Sequence, residues 1–136
     1  MNREILFRGK RADTKEWIYG DVQQNVDAVK IREQEPNIQH IARSFVVIPE
    51  TVGQYTGLTD KNGNRIFEGD ICSTDLKRPY AVVAFRGGCF EYELDDGDGI
   101  YYDIMMPVTK KPATQDKYTI VIGNIHDNPE LLEVTE

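Results

Sequence analysis

The chain has 136 residues, of which 40% are apolar and 29% are charged, and its formal net charge at pH 7 is −7. These values exclude a disordered chain and are typical of a globular protein of one ordinary domain. No apolar run approaches the ~20 residues that a membrane-spanning helix needs. The first residues also lack the apolar stretch of a secretory signal, so we expect a cytoplasmic protein without membrane contact.

The charge is distributed unevenly along the chain. Up to Arg43 there are eight Lys and Arg against seven Asp and Glu, a net charge of +1; from Ser44 onward there are eight against sixteen, a net charge of −8. Phosphate-backbone binding relies on Lys and Arg, so nucleic acid is disfavoured as a partner. A candidate acidic interaction face, uninterrupted by any cation, comprises Glu91, Glu93, Asp95, Asp96, Asp98 and Asp103.

Taken in chain order, β-branched and aromatic segments predict a mainly β fold. The predicted strands are Glu4–Arg8, Glu16–Gly20, Val26–Ile31, Phe45–Ile48, Gly69–Ser73, Ala81–Phe85, Cys89–Leu94 and Tyr118–Gly123. Alternation in Cys89–Leu94 directs Glu91 and Glu93 to solvent. A short C-terminal helix is expected after Asn128, because asparagine suits the N-cap and Pro129 the first helical position.

The run from Tyr55 to Ile71 is the most informative part of the sequence, because polar turn residues and glycines separate its apolar anchors. Its composition predicts a type I turn over Asp60–Gly63, in which the Asp60 side chain accepts a backbone amide two residues on. A second turn, Glu68-Gly69-Asp70, should lead into the next strand. The predicted structural signature turns contain Gly57, Asp60, Asn62, Gly63, Gly69 and Asp70.

No catalytic residue, metal site or cofactor is predicted. The spacing after Asp60 resembles a calcium loop, but Arg65 stands where glycine is needed and Ile71 where glutamate is needed. Asp95–Gly99 is interpreted as a solvated hairpin tip rather than a loose cation site. Cys72 and Cys89 lack metal-site spacing and are expected to be reduced thiols, with a disulfide between them left open. The sequence contains neither a phosphate-binding loop nor a nucleophile motif.

Several segments together resemble the YopX-like family of phage and prophage proteins. They follow the family's order along nearly the whole chain: Arg3–Gly9, Pro49–Leu58, Asp60–Gly63, Ile66–Ile71 and Ile122–Leu132. The sequence departs from the family pattern at Gly9-Lys10, and no resemblance to the family is recognised over residues 25–43. The resemblance implies a phage or prophage source and a mainly β fold built on SH3-like barrel elements. It carries over no catalytic residue.

We therefore expect one domain over residues 1–136, with an alternative division into an N-terminal β subdomain over 1–50 and a barrel-like subdomain over 51–136. The favoured function is a non-catalytic module that binds a host or phage protein. The alternatives are an acidic mimic of nucleic acid, an enzyme of unrecognised type, and direct nucleic-acid binding through aromatic and basic residues. Edge strands of a small β protein also make a homo-oligomer an open alternative. The aromatic and basic set is Tyr55, Phe67 and Tyr80 with Lys61, Arg65, Lys77 and Arg78.

Overall fold

The computed structural model describes residues 4–34, 39, 41–73, 79–105 and 119–133. Its strands are β1 (Phe7–Lys10), β2 (Trp17–Gln24), β3 (Val29–Glu33), β4 (Ser44–Val46), β5 (Gly53–Thr59), β6 (Arg65–Phe67), β7 (Asp70–Ser73), β8 (Ala81–Arg86), β9 (Cys89–Asp95), β10 (Ile100–Ile104) and β11 (Ile120–Asn124). Two short 3₁₀ turns lie at Pro49–Thr51 and Pro129–Leu132. The mainly β class is confirmed.

The described strands form two sheets. The first has the order β4-β3-β2-β1-β5-β6 and the second has the order β10-β9-β8-β7-β11. Neighbouring strands run antiparallel in the pairs β1–β2, β1–β5, β2–β3, β3–β4, β7–β8, β7–β11, β8–β9 and β9–β10. Each order has two ends, so the expected closed SH3-like barrel is not formed by these strands. Closure requires the first and last strands of one sheet to pair, and here β10 and β11 stay at opposite ends.

The chain divides into two compact units, Met1–Tyr55 and Thr56–Glu136, and the division falls within β5. In the first unit the core contains Leu6, Ile31 and Val47, each at most 2% exposed. Gly9 packs on this core, because a Cβ there would lie 3.0 Å from Ile31 and 3.3 Å from Val47. Strand β1 continues to Lys10, beyond Arg8 where the predicted strand ended, because Gly9 and Lys10 pair with Ile18 and Trp17 of β2.

The second unit has its own core. Leu58, Ile66, Cys72 and Val83 form the buried cluster, and Tyr92, Met105 and Val121 pack against it. Leu58 of β5 and Ile66 of β6 therefore face the same core. The strands β7, β8, β9 and β11 each give at least one residue to this cluster or its surround.

The short C-terminal helix was predicted wrongly. Pro129–Leu132 is a single 3₁₀ turn with no buried residue, and Asn128 does not cap it with its side chain. Instead, Asn128 Oδ1 accepts the Asn124 N–H at 3.2 Å, which ties the asparagine to the end of β11. Without a cap or a buried apolar face, a segment this short has little to stabilise an α-helix. Within the described ranges, no helix has the length and apolar character needed to cross a membrane.

Candidate interaction surface

Asp60 is the centre of a hydrogen-bonded turn in the second unit. Its side chain is 0% exposed, and Oδ1 accepts the backbone N–H groups of Asn62 and Asn64, both at 2.9 Å. Oδ2 accepts the Val121 N–H at 3.0 Å, which ties the turn to β11. The Asp60 carbonyl also accepts the Gly63 N–H at 3.0 Å. Both carboxylate oxygens of Asp60 therefore accept hydrogen bonds from the protein's own backbone.

The remaining signature residues have similar internal roles. Gly57, Gly63 and Gly69 have φ values of 89°, 85° and 92°, in the left-handed region that favours glycine. Asp70 is 2% exposed, and its Oδ2 accepts the Phe67 N–H at 2.7 Å, closing the turn before β7. The signature run therefore builds corners of the sheet structure rather than presenting its carboxylates to a ligand.

Arg86, at the end of β8, lies among the acidic residues of β9. Its Nη2 is 2.8 Å from Glu93 Oε2, and its Nε is 3.8 Å from Glu91 Oε2. The guanidinium also lies 4.4 Å from the centre of the Tyr102 ring and donates to the Tyr102 hydroxyl at 3.2 Å. The Arg86 guanidinium therefore lies beside the carboxylates of Glu91 and Glu93 and against the ring of Tyr102. Sequence reasoning missed this partner, because Arg86 precedes the acidic segment and reaches it only through the β8–β9 pairing.

The other acids of the candidate face do not all join the glutamates on one surface: Asp95, two residues after Glu93 in β9, lies on their face, but Asp103 does not. Asp103 pairs with Tyr92, which packs on the core, so Asp103 lies on the face opposite Glu91 and Glu93. Asp95 Oδ1 accepts the Gly97 N–H at 3.0 Å. At the hairpin tip, Asp96 Oδ1 accepts the N–H groups of Asp98 at 2.9 Å and Gly99 at 3.0 Å. The six acids are therefore distributed over two faces and one exposed turn.

Strand β10 is the most exposed apolar element among the described residues. All five of its residues are exposed, with Ile100 at 52%, Tyr101 at 57%, Tyr102 at 44% and Ile104 at 63%. This strand was not predicted from the sequence, since its apolar residues do not alternate with polar ones. The available signal was a run of β-branched and aromatic residues directly after an Asp-Gly turn.

The hydrogen bonds of the hairpin determine which backbone groups of β10 face outward. Met105 N–H donates to the Phe90 carbonyl at 3.1 Å, and Asp96 N–H donates to the Gly99 carbonyl at 3.3 Å. Antiparallel partners alternate between hydrogen-bonded and non-hydrogen-bonded pairs. Tyr101 and Asp103 therefore direct their backbone groups toward β9. Those of Ile100, Tyr102 and Ile104 point to the open edge, where no described strand pairs.

Two of the three aromatic residues expected for direct nucleic-acid binding are buried, and the third, Tyr80, is half-buried. Tyr55 is 8% exposed and Phe67 is 4% exposed, because both belong to strands with buried faces. Buried rings cannot stack on bases, so this expectation was wrong for them. Lys77 and Arg78 lie outside the described residues. Neither Cys72 nor Cys89 forms a disulfide, and the described residues contain no group of three or more His, Cys, Asp or Glu side chains placed to hold a metal ion.

The described strands form two open antiparallel sheets, glycines with positive φ form turns between strands, and one edge strand is exposed. These features define a small all-β protein with a strand available at its surface. The family described as YopX protein matches residues 6–133, and the chain belongs to this family. It is also similar to a solved structure, that of protein EF1440 from Enterococcus faecalis, with 25% sequence identity and a TM-score of 0.56. The similarity covers 97% of this chain and 100% of that one. A search of curated proteins found no match.

Proposed function

We propose that this chain is a non-catalytic protein-binding module of a phage or prophage, and that β10 is its binding strand. The observation that carries the proposal is the exposure of all five β10 residues, four of which are isoleucine or tyrosine. Tyrosine is enriched in protein interfaces, and an exposed sheet edge can accept an additional strand from a partner. The outward backbone groups of Ile100, Tyr102 and Ile104 supply the donors and acceptors for such pairing.

The distribution of charge supports binding through this strand rather than through the acids. Asp60 and Asp70 accept hydrogen bonds from the protein's own backbone. Glu91 and Glu93 lie beside Arg86, which offsets part of their charge. The acidic mimic of nucleic acid therefore has less support. Of the six acids of the candidate acidic face, Asp95, Asp96 and Asp98 at the hairpin tip are the three left as a local acidic group. Tyr102, in contrast, combines a large ring with an outward-facing backbone.

Photo-crosslinking in cells of the bacterial host tests the proposal. A photoreactive phenylalanine analogue in place of Tyr101 should form a covalent adduct with a protein, and Tyr102→Pro in the same chain should abolish that adduct. Proline at 102 removes an outward-facing N–H and the tyrosine ring that lies against Arg86. It removes no N–H that bonds to β9, so the β9–β10 pairing is retained. The analogue in place of Tyr19, which is 41% exposed on β2, serves as the matched control and should give no such adduct.

Two results would contradict the proposal. One is the absence of any protein adduct at position 101, and the other is an adduct that survives Tyr102→Pro. A variant combining Asp95→Asn, Asp96→Asn and Asp98→Asn separates the two functions. Binding through β10 predicts that the adduct is retained in this variant, whereas the acidic mimic predicts its loss together with a steep decrease as salt is raised.

A further inference from the structure

We infer that the partner of β10 is a second copy of this chain, joined through an antiparallel β10–β10 pair centred on Tyr102. This inference rests on the proposed function and names the occupant of the same strand. It starts from the sequence of β10, Ile100-Tyr101-Tyr102-Asp103-Ile104, which is nearly symmetric about its middle residue. An antiparallel pair centred on Tyr102 places each Ile100 opposite Ile104 of the second copy. It also places each Tyr101 opposite Asp103 of the second copy.

The side chains in this register are mutually compatible. One face carries a continuous apolar row in which isoleucine lies opposite isoleucine and tyrosine opposite tyrosine, and such cross-strand pairs stabilise sheets. The other face pairs Tyr101 with Asp103 in both directions. A register centred on Asp103 would instead place two carboxylates directly opposite one another, which is destabilising. Centring on Tyr101 would leave Ile104 without a partner residue in the strand.

The backbone supports the same register. Ile100, Tyr102 and Ile104 direct their N–H and C=O groups away from β9, as the hairpin hydrogen bonds require. In the pair centred on Tyr102, these three residues occupy the hydrogen-bonded positions. Tyr101 and Asp103, whose backbone groups already bond to β9, occupy the non-hydrogen-bonded positions. Every outward donor and acceptor of the strand is therefore satisfied by the second copy.

Charge selects the antiparallel direction. The acidic tip with Asp95, Asp96 and Asp98 lies immediately before β10, so a parallel pair would bring two acidic tips side by side. In the antiparallel pair the two Ile100 residues are about 13 Å apart along the strands, and the tips lie at opposite ends. Each chain nevertheless carries a net charge of −7, so added salt should strengthen the dimer by screening repulsion.

Light scattering after size-exclusion chromatography tests the inference on the full chain. Because one short strand pair buries little surface, we expect a dimer of the 15.6 kDa chain that forms with rising concentration between about 10 µM and 1 mM. Tyr102→Pro should remain monomeric throughout this range with an unchanged circular dichroism spectrum, whereas Tyr102→Phe should dimerise like the wild type. A wild-type chain that stays monomeric throughout, or a dimer that persists in Tyr102→Pro, would overturn the inference.

Cysteine crosslinking tests the register without relying on proline. In a Cys89→Ser background, Tyr102→Cys should form an intermolecular disulfide on mild oxidation, since opposite Cα atoms at a hydrogen-bonded pair are about 5.5 Å apart. Ile100→Cys alone and Ile104→Cys alone should not crosslink, but a mixture of these two variants should. Crosslinking by Ile100→Cys alone would contradict the register.

The two proposals fail in distinguishable ways. A Tyr101 photo-adduct with the mass of two chains supports both proposals. An adduct with a different protein, formed by a chain that stays monomeric, retains the binding function and rejects self-pairing. The absence of any adduct at position 101 rejects both.

Discussion

Asp60 and Asp96 use the same hydrogen-bonding arrangement in two different surroundings. Each directs Oδ1 to two backbone N–H groups of its own turn, at 2.9 Å from both donors for Asp60 and at 2.9 and 3.0 Å for Asp96. Asp60 is 0% exposed and its second oxygen reaches Val121 of another strand, whereas Asp96 lies in an exposed hairpin tip. The first residue holds the second unit's core strands to a turn, and the second holds only its own loop.

The difference shows that burial, rather than residue type, separates a structural carboxylate from a surface one. A buried donor left without an acceptor loses both its protein partner and its contact with water, and this loss is the larger cost. An exposed donor exchanges its partner for water at little net cost. The same chain therefore contains acids that the fold requires and acids that it tolerates, and their order in the sequence does not distinguish them.

The largest effect is expected for Asp60→Ala. It leaves the N–H groups of Asn62, Asn64 and Val121 without their acceptor, and we expect the free energy of unfolding to fall by about 3–5 kcal/mol. Asp60→Asn keeps one acceptor oxygen and should cost about half as much. Asp96→Asn is the matched control and should change stability by less than about 0.5 kcal/mol. Urea denaturation measures all three, and equal effects at positions 60 and 96 would contradict the distinction drawn from burial.

The sequence predicted the glycine corners and the Asp60 turn because these depend on local chemistry. Positive φ favours glycine wherever it occurs, and an aspartate at the start of a turn can accept nearby amides. It did not reveal that Asp60 also binds Val121, because that contact joins residues 61 positions apart. The prediction of a closed barrel was not confirmed for a related reason, because closure depends on which strands lie at the two ends of a sheet.

The interaction surface was the least predictable part. Alternation identified β9, whose Tyr92 packs against the core, but all five residues of β10 are exposed and the strand has no periodic pattern. In the sequence, no cation stands between the acids of the candidate acidic face. Arg86 reaches Glu93 only because β8 and β9 pair. Local patterns therefore predict elements with one face packed on the core, and they miss a strand whose five residues are all exposed.

An intermediate effect on the free energy of unfolding is expected for Gly63→Ala, with Gly97→Ala as its comparison. The two glycines have φ values of 85° and 93°, and a Cβ at either would meet no atom within 4 Å, so each substitution costs only backbone strain. We expect Gly63→Ala to lower the free energy of unfolding by about 1–2 kcal/mol. The exposed tip at Gly97 can relax by local opening, so the global change there should be smaller.

Hydrogen exchange sharpens this comparison. Gly97→Ala should accelerate exchange of the Tyr101 and Asp103 amides, which bond to β9, while leaving the β7 and β8 amides unchanged. Gly63→Ala should affect the amides of the second unit's core strands together. If Gly97→Ala lowered global stability as much as Gly63→Ala, the hairpin would belong to the cooperative core, and the contrast between the two regions would be wrong.

The smallest effect is expected from the half-buried carboxylate of Glu33, whose partner is the exposed guanidinium of Arg43. Arg43 donates to both Glu33 oxygens at 3.1 Å, and this hydrogen bond holds the pKa of Glu33 below its ordinary value. A lowered pKa in the folded state means that the pair stabilises the fold above the pKa of an unfolded glutamate, about 4.3. That contribution is lost as the pH falls through the folded-state pKa.

Arg43→Gln should therefore lower the urea midpoint slightly at pH 7, and the difference from the wild type should shrink as the pH is lowered from about 5 to 3. Added salt at pH 7 should also shrink it, because Arg43 is 55% exposed and the pair is screened by solvent. Asp60→Asn should retain most of its penalty in the same salt, since the buried Asp60 carboxylate binds uncharged backbone amides through part-buried hydrogen bonds. A salt response equal at both positions would show that charge rather than hydrogen-bond burial stabilises the Asp60 turn.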